Sequence, residues 1–349
     1  MKIEIPKIDR RQQKLLAIIF GVIILLIFTS VIVRKTYIEN IKPVSGDTTT
    51  QVVTIKSGST TSDIASALKS KGVIRSDWAF EWYVRNHNLR DELKAGTYLF
   101  SPSQGVSEIV NQLVDGKVAT NLVVILPAKR LDQIRTSLIK DGFSESEVDN
   151  ALRADNYKDH PALRDKPAGA SLEGFLYPES FQRTAETTAS EIVKMSLDEM
   201  NSHLTSEIRE GFSRQGLSTY QGIIIASIVE QEVSDKNPLD RAQVAQVFLK
   251  RYKQGMALGS DPTAFYGAAI ANQPKNLNFD SPYNTRMYPG LPPGPIGNVS
   301  ESAMKAVAFP AGTEWLYFVS GDDGKTYFSK TLKEHEALTR DHCKENCNY

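Results

Sequence analysis

Acidic side chains carry the chemistry this sequence can do. The stretch Gly222–Val233 reads GIIIASIVEQEV, and its first half is apolar on every face, which predicts a buried helix. Glu230 follows the run Ile223–Val229, and Glu232 comes two residues later. Two positions on a helix lie about 200° apart, so the two carboxylates cannot share one site. One can face a cleft while the other turns elsewhere, toward an arginine or a backbone amide. A carboxyl at the edge of an apolar helix loses hydration, which raises its pKa. That is how a glutamic acid stays protonated near neutrality and serves as a general acid. The structural alternative is a helix that merely reaches solvent at Glu230.

Other chemistries find little support. The chain has no H-E-x-x-H, no Cys/His set at zinc spacing and no G-x-S-x-G elbow, so neither a metal nor a cofactor is expected. His87, His160, His203, His335 and His342 are scattered along the sequence and suggest no triad. Gly324-Lys325-Thr326 imitates the end of a phosphate loop, but Val319 stands where the first glycine belongs. That fragment reads as a hairpin turn. Lys plus Arg number 41, as do Asp plus Glu, which argues against a nucleic-acid partner because phosphate neutralisation needs a basic excess. The 349 residues include only two cysteines, Cys343 and Cys347, so stability must come from buried apolar surface and not from a disulfide scaffold. A disordered tail over 341–349 is the expectation there, with a Cys343–Cys347 disulfide as the alternative.

Three loop stretches have a composition suited to lining a groove. Ser171–Phe181 (SLEGFLYPESF) concentrates aromatics with Glu173 and Glu179. Gly259-Ser260-Asp261-Pro262-Thr263 predicts a turn into a helix, with Ser260 or Asp261 as cap and Pro262 at its start. Ser281-Pro282-Tyr283-Asn284-Thr285 precedes Gly290–Gly297 (GLPPGPIG), a rigid run with exposed amides and few side chains.

These loops and the acidic helix need a scaffold and an address. Leu15–Val33 is nineteen residues without charge or proline, which just crosses a hydrocarbon core of about 30 Å. Arg34 and Lys35 come after it instead of a small-residue cleavage site, so a retained anchor is expected and not a signal peptide. Lys2, Lys7, Arg10, Arg11 and Lys14 against Glu4 and Asp9 favour a cytoplasmic N-terminus. Residues 34–50 read as a polar linker. A strand at Gln51–Ile55, a helix capped by Ser62 and stopped by Gly72, a helix at 76–86, a strand at 95–100 and a short helix at 107–114 then predict a small domain. An offset of 70 pairs Ile55 with Ile125, Ile64 with Ile134, Leu68 with Leu138 and Gly72 with Gly142, which suggests a repeated α/β unit. Trp78, Phe80, Trp82 and Tyr83 at helical spacing are read as core, with sugar stacking as the other possibility.

Taken together, LEGFLYPESF, ASIVEQEV, SDPT, SPYNT, GLPPGPI and WLYFVSGDDG…FSKTLKEH, in this order, resemble the endolytic murein transglycosylases, the MltG/YceG-like family. The likeness runs upstream through IKSGSTTSDIASALKSKGVI and KAGTYLFSP to the anchor. It implies an α+β protein with one N-terminal transmembrane helix. Residues 1–14 would be cytoplasmic, 15–33 transmembrane, 34–50 linker, 51–118 a LysM-like module, 119–340 the catalytic domain and 341–349 a tail. The implied activity is cleavage within peptidoglycan strands between MurNAc and GlcNAc, leaving 1,6-anhydroMurNAc ends, on the outer side of the cell membrane. The implied partners are glycan strands and wall-synthesis enzymes in the membrane. By position, Glu230 falls on the family's catalytic glutamate. Glu173, Tyr177, Glu232, Asp261, Tyr283, Asn284 and Thr285 fall on stretches expected to contact substrate. A glycan-binding scaffold and a hydrolase on the same site are the alternatives. Two positions depart from the family pattern: Pro127-Ala128-Lys129 replaces a Pro-Glu-Gly turn, and Thr326 replaces a histidine before Tyr327-Phe328.

Overall fold

The computed structural model describes residues 10–118, 121–184, 186–233 and 238–345. The protein is a mixture of helix and sheet in two compact units, Met1–Asn121 and Leu122–Tyr349.

The first unit opens with α1 (Arg10–Asn40), of which Phe20–Asn40 is long and apolar enough to cross a membrane. The helix runs seven residues past Val33, into the segment expected as linker. The residues just beyond α1 are tied down as well. Ile41 O accepts from Val106 N at 3.0 Å, and Ser45 N donates to Pro102 O at 3.1 Å. Arg75 donates to Pro43 O and Val44 O at 2.6–2.9 Å. β1 (Gln51–Ile55), α2 (Thr61–Ser70), α3 (Asp77–Asn86) and β2 (Gly96–Phe100) form a β-α-α-β domain whose strands pair antiparallel, Val53 opposite Tyr98. α4 (Val106–Asp115) closes it. Thr60, not Ser62, caps α2, because its hydroxyl and the Asp63 carboxylate satisfy each other's backbone N–H. Of the aromatic cluster only Phe80 is fully buried. Tyr83 packs at the core's edge, while Trp78 and Trp82 remain 45% and 37% exposed.

The second unit starts with the same order. β3 (Leu122–Val124), α5 (Leu131–Lys140), α6 (Glu145–Ala151) and β4 (Ser180–Gln182) succeed one another, and β3 pairs antiparallel with β4. α2 and α5 begin 70 positions apart. Ile55 and Ile125, Ile64 and Ile134, and Leu68 and Leu138 are all buried, and Gly72 and Gly142 both end their helices at positive φ. The spacing therefore marks structurally equivalent positions.

A helical body completes this unit: α7 (Ala189–His203), α8 (Ser206–Arg214), α9 (Thr219–Glu232), α10 (Pro238–Lys253), α11 (Asp261–Ile270) and α12 (Glu301–Ala308). The hairpin β5 (Tyr317–Ser320) and β6 (Thr326–Ser329), turning at Gly324, leads to α13 (Leu332–His342). Cys343, just beyond, is buried and disulfide-bonded, whereas a disordered tail was expected; Cys347 lies outside the described residues.

α9 is the central element. Ser218 and Gln221 cap it reciprocally, and every residue from Gly222 to Glu230 is buried. Its neighbours approach closely through glycines. Gly174 sits at φ 85°, where a Cβ would come within 2.5 Å of Pro295. Gly174→Ala should therefore lower stability by about 2–4 kcal/mol, adding a left-handed backbone penalty to overpacking. The check is a lower urea midpoint at unchanged m-value.

Candidate active site

Both acids of α9 lie in its last turn, and they point to different surroundings. Glu230 turns inward to the junction with α10 and α12. Its Oε1 accepts from Arg241 Nη2 at 2.9 Å, and the two side chains are each 2% exposed. Its Oε2 accepts from Ser300 N at 2.9 Å and Ser300 Oγ at 2.5 Å. Ser300 caps α12, so the carboxylate also sits at a helix N-terminus, where negative charge is favoured. Arg241 reaches on to Val233 O, which closes the C-terminal end of α9. Both oxygens of Glu230 are thus engaged by protein donors, and none of these contacts is with a cleft.

Glu232 is half-buried and lines a cavity of about 550 Å³ walled by Arg251, Asp261, Phe265, Arg286 and His335 among others. Ser260 Oγ donates to its Oε1 at 2.6 Å. Its second oxygen has no hydrogen-bond partner among the described residues. Burial pushes its pKa up to about 7, helped by the negative charge of Asp261. The Ser260 hydrogen bond and the Arg251 guanidinium pull the other way. This is a carboxyl poised to hold and release a proton near neutrality.

The loops hold Ser260 where Glu232 needs it. Gly259 N donates to Thr285 O at 2.9 Å, Ser260 N to Thr285 Oγ1 at 3.2 Å, and the Thr263 and Thr285 hydroxyls lie 2.8 Å apart. Asn284 is wholly buried, and its amide donates to Leu277 O and Phe279 O at 2.9 Å each. Asn284 and Thr285, expected on the substrate, are turned into the loop framework. Asp261 starts α11, lines the cavity and is ion-paired with Arg286.

A second polar cluster gathers elsewhere. Glu173 is buried and accepts from Leu131 N at 3.0 Å, on the first residue of α5, and from Tyr266 Oη at 3.1 Å. Tyr283 packs on Tyr266 with ring centroids 4.6 Å apart. Burial raises the Glu173 pKa to about 7 as well, so proton affinity does not separate it from Glu232. Access does, since Leu131 N–H, shared by both oxygens, and the Tyr266 hydroxyl engage Glu173, and it does not line the cavity. Tyr177 is buried and stacked on His203 at 4.2 Å, also away from the cavity.

Three cavity residues were missed from sequence. Arg251 donates to Leu316 O and Leu258 O at 2.7 and 2.6 Å and lies 5.0 Å over the Tyr317 ring. His335 stacks on the same ring at 5.4 Å, and its buried Nδ1 has no hydrogen-bond partner among the described residues. Burial and the nearby Arg251 charge lower its pKa. Arg286 directly succeeds the Y-N-T stretch, and His335 ends TLKEH. Both were visible as motif neighbours, but nothing in their spacing shows that the chain folds them onto Glu232. Among the described residues no cluster of His, Cys, Asp or Glu could hold a metal ion.

Fold and site together define a two-unit protein of mixed helix and sheet with an N-terminal apolar helix and a carboxyl, Glu232, lining an open cleft. The chain belongs to the YceG-like family, whose match spans residues 53–341. It is 31% identical over 312 residues to the endolytic murein transglycosylase of Bacillus subtilis (strain 168), covering 84% of this chain and 86% of that protein. It is 25% identical over 344 residues to the endolytic murein transglycosylase of Streptococcus pneumoniae serotype 2, covering 89% of this chain and 62% of that longer one. The crystal structure of a yceG-like protein from Listeria monocytogenes is similar at a TM-score of 0.55 and 32% identity, over 83% of this chain and 99% of that one.

Proposed function

We propose that this protein is a peptidoglycan lytic transglycosylase anchored by α1, with Glu232 as its single acid/base. The observation that carries the assignment is the cleft-facing carboxyl of Glu232, with one oxygen on Ser260 and the other without a hydrogen-bond partner among the described residues. Protonated Glu232 gives its proton to the glycosidic oxygen between MurNAc and GlcNAc as that bond breaks. The resulting carboxylate removes the proton from the C6 hydroxyl of the same MurNAc, and that oxygen closes on C1. The attacking group is tethered, so no second carboxylate is needed to position water. The 1,6-anhydro end is the product, and Glu232 returns to its starting state. Burial keeps the Glu232 proton affinity high, and Asp261, held by Arg286, adds to it.

α1 is read as a single span with a cytoplasmic N-terminus, and the rest of the chain as lying outside the cytoplasm. The β-α-α-β order of residues 51–100 supports a LysM-like module ahead of the catalytic domain. Release or termination of nascent strands, beside wall-synthesis enzymes of the membrane, is the role this placement suits.

The test is mass spectrometry of peptidoglycan strands digested by the full-length protein in detergent. Anhydromuramic ends internal to the starting strands are expected. Reducing ends would instead mean that water enters, with Asp261, on the same cavity wall, the candidate to activate it. Binding without cleavage would leave a glycan-binding protein.

A change at Ser260 tests the proton affinity. The Ser260 hydroxyl lowers the Glu232 pKa by favouring the anion, so Ser260→Ala should raise it above about 7. The acid must be protonated to act, so the alkaline limb of kcat/KM should move to higher pH. Ser260 makes no side-chain cap bond to α11, so the helix should be unaffected.

A further inference from the structure

The exposed tryptophans of α3 are placed by α1. Tyr37 lies on α1 four residues past Val33, about 6 Å along the axis. Its ring meets that of Trp82 edge-on at 4.3 Å and lies 6.1 Å from Trp78. Trp78 and Trp82 are four apart and share one face of α3, while Phe80 and Val84 on the other side are wholly buried in the domain core. The domain cannot swing freely on α1, because Ile41, Pro43, Val44 and Ser45 are bonded to Val106, Arg75 and Pro102.

Each polar face of a bilayer is about 5–7 Å deep beyond the hydrocarbon. A ring about 6 Å past Val33, where the charge-free run ends, therefore lies among the headgroups, the layer in which indole and phenol side chains are favoured because one end is apolar and the other wet. Arg34 and Lys35, on the intervening turn of α1, carry the charge that lipid phosphates attract. A sugar-stacking platform would instead need its ring faces clear of the bilayer, and the continuity with α1 puts them against it.

We propose that Trp78 and Trp82, joined by Tyr37, form an interfacial aromatic anchor that seats the β1–α2–α3–β2 domain on the lipid headgroups. This rests on the reading of α1 as a membrane span. The anchor sets the height at which the small domain stands above the membrane and holds it there.

The test uses the full-length protein in phosphatidylcholine/phosphatidylglycerol vesicles. The difference in emission between wild type and the Trp78→Phe/Trp82→Phe variant isolates these two indoles from Trp315. That difference spectrum should be blue-shifted, quenched by brominated lipid and largely insensitive to acrylamide. Phe28→Trp in the double-variant background reports on α1 in the same way. If that reporter escapes brominated lipid, the membrane reading of α1 fails. If the reporter is quenched while the Trp78/Trp82 emission stays red and open to acrylamide, the anchor is overturned. A shift of that emission on adding muropeptide, without lipid quenching, would overturn it in favour of a glycan platform.

Discussion

Glu232→Gln should abolish strand cleavage and leave the fold intact. Glutamine is isosteric, and its side-chain carbonyl can still accept the hydrogen bond that Ser260 Oγ gives to Oε1. What it cannot do is deliver a proton to the leaving oxygen or take one from the C6 hydroxyl. A positioned general acid or base contributes about 10²–10⁴-fold, and here one side chain does both jobs, so kcat/KM should fall by at least that range. The thermal midpoint and strand binding should stay within error of wild type. In the unaltered enzyme, Glu232 must begin protonated. With its pKa pushed up to about 7, kcat/KM should be flat below that value and fall as pH rises through it. Full activity in Glu232→Gln would remove Glu232 from the mechanism.

The choice between the two acids shows where sequence reasoning reached and where it stopped. The apolar run ahead of Glu230 predicts a buried helix, and the two-residue spacing predicts that the acids diverge; both features are present in α9. Local sequence cannot say which of two divergent directions faces a cleft. That depends on Arg241, Ser300 and Ser260, which come from three other segments. The resemblance points to Glu230, whereas we propose Glu232, the acid that lines the cavity. Similarly, the residue types of Asn284 and Thr285 suit sugar recognition, yet Asn284 spends its amide on the backbone of its own loop and Thr285 its hydroxyl on Ser260 N and the Thr263 hydroxyl. Short-range features were more legible. The 70-residue offset, the proline in the first turn of α11 and the hairpin at Gly324 depend on local φ and burial pattern, which a sequence records directly. Trp78 and Trp82 were illegible for the opposite reason, since α3 has an ordinary apolar spacing on both faces and only the position of α1 tells which face stays outside.

Glu230→Gln is expected to act on stability rather than chemistry. Both oxygens of Glu230 face donors, Arg241 on one side and the Ser300 amide and hydroxyl on the other. A glutamine supplies only one acceptor, so its NH₂ must be turned against one set of donors. Arg241 also loses the carboxylate that pairs with it at 2.9 Å in a dry environment. Removing one member of a buried ion pair costs about 3–5 kcal/mol, which should appear as a large drop in the urea midpoint. Cleavage per folded molecule, measured well below the midpoint, should stay close to wild type. A variant as stable as wild type but inactive would reverse the roles given to the two glutamates. Replacing both partners at once, as Glu230→Leu/Arg241→Met, should recover part of the lost stability, because two apolar side chains leave no buried charge behind. Recovery should be incomplete, since Arg241 also satisfies the Val233 carbonyl at the end of α9 and the Ser300 hydroxyl at the start of α12.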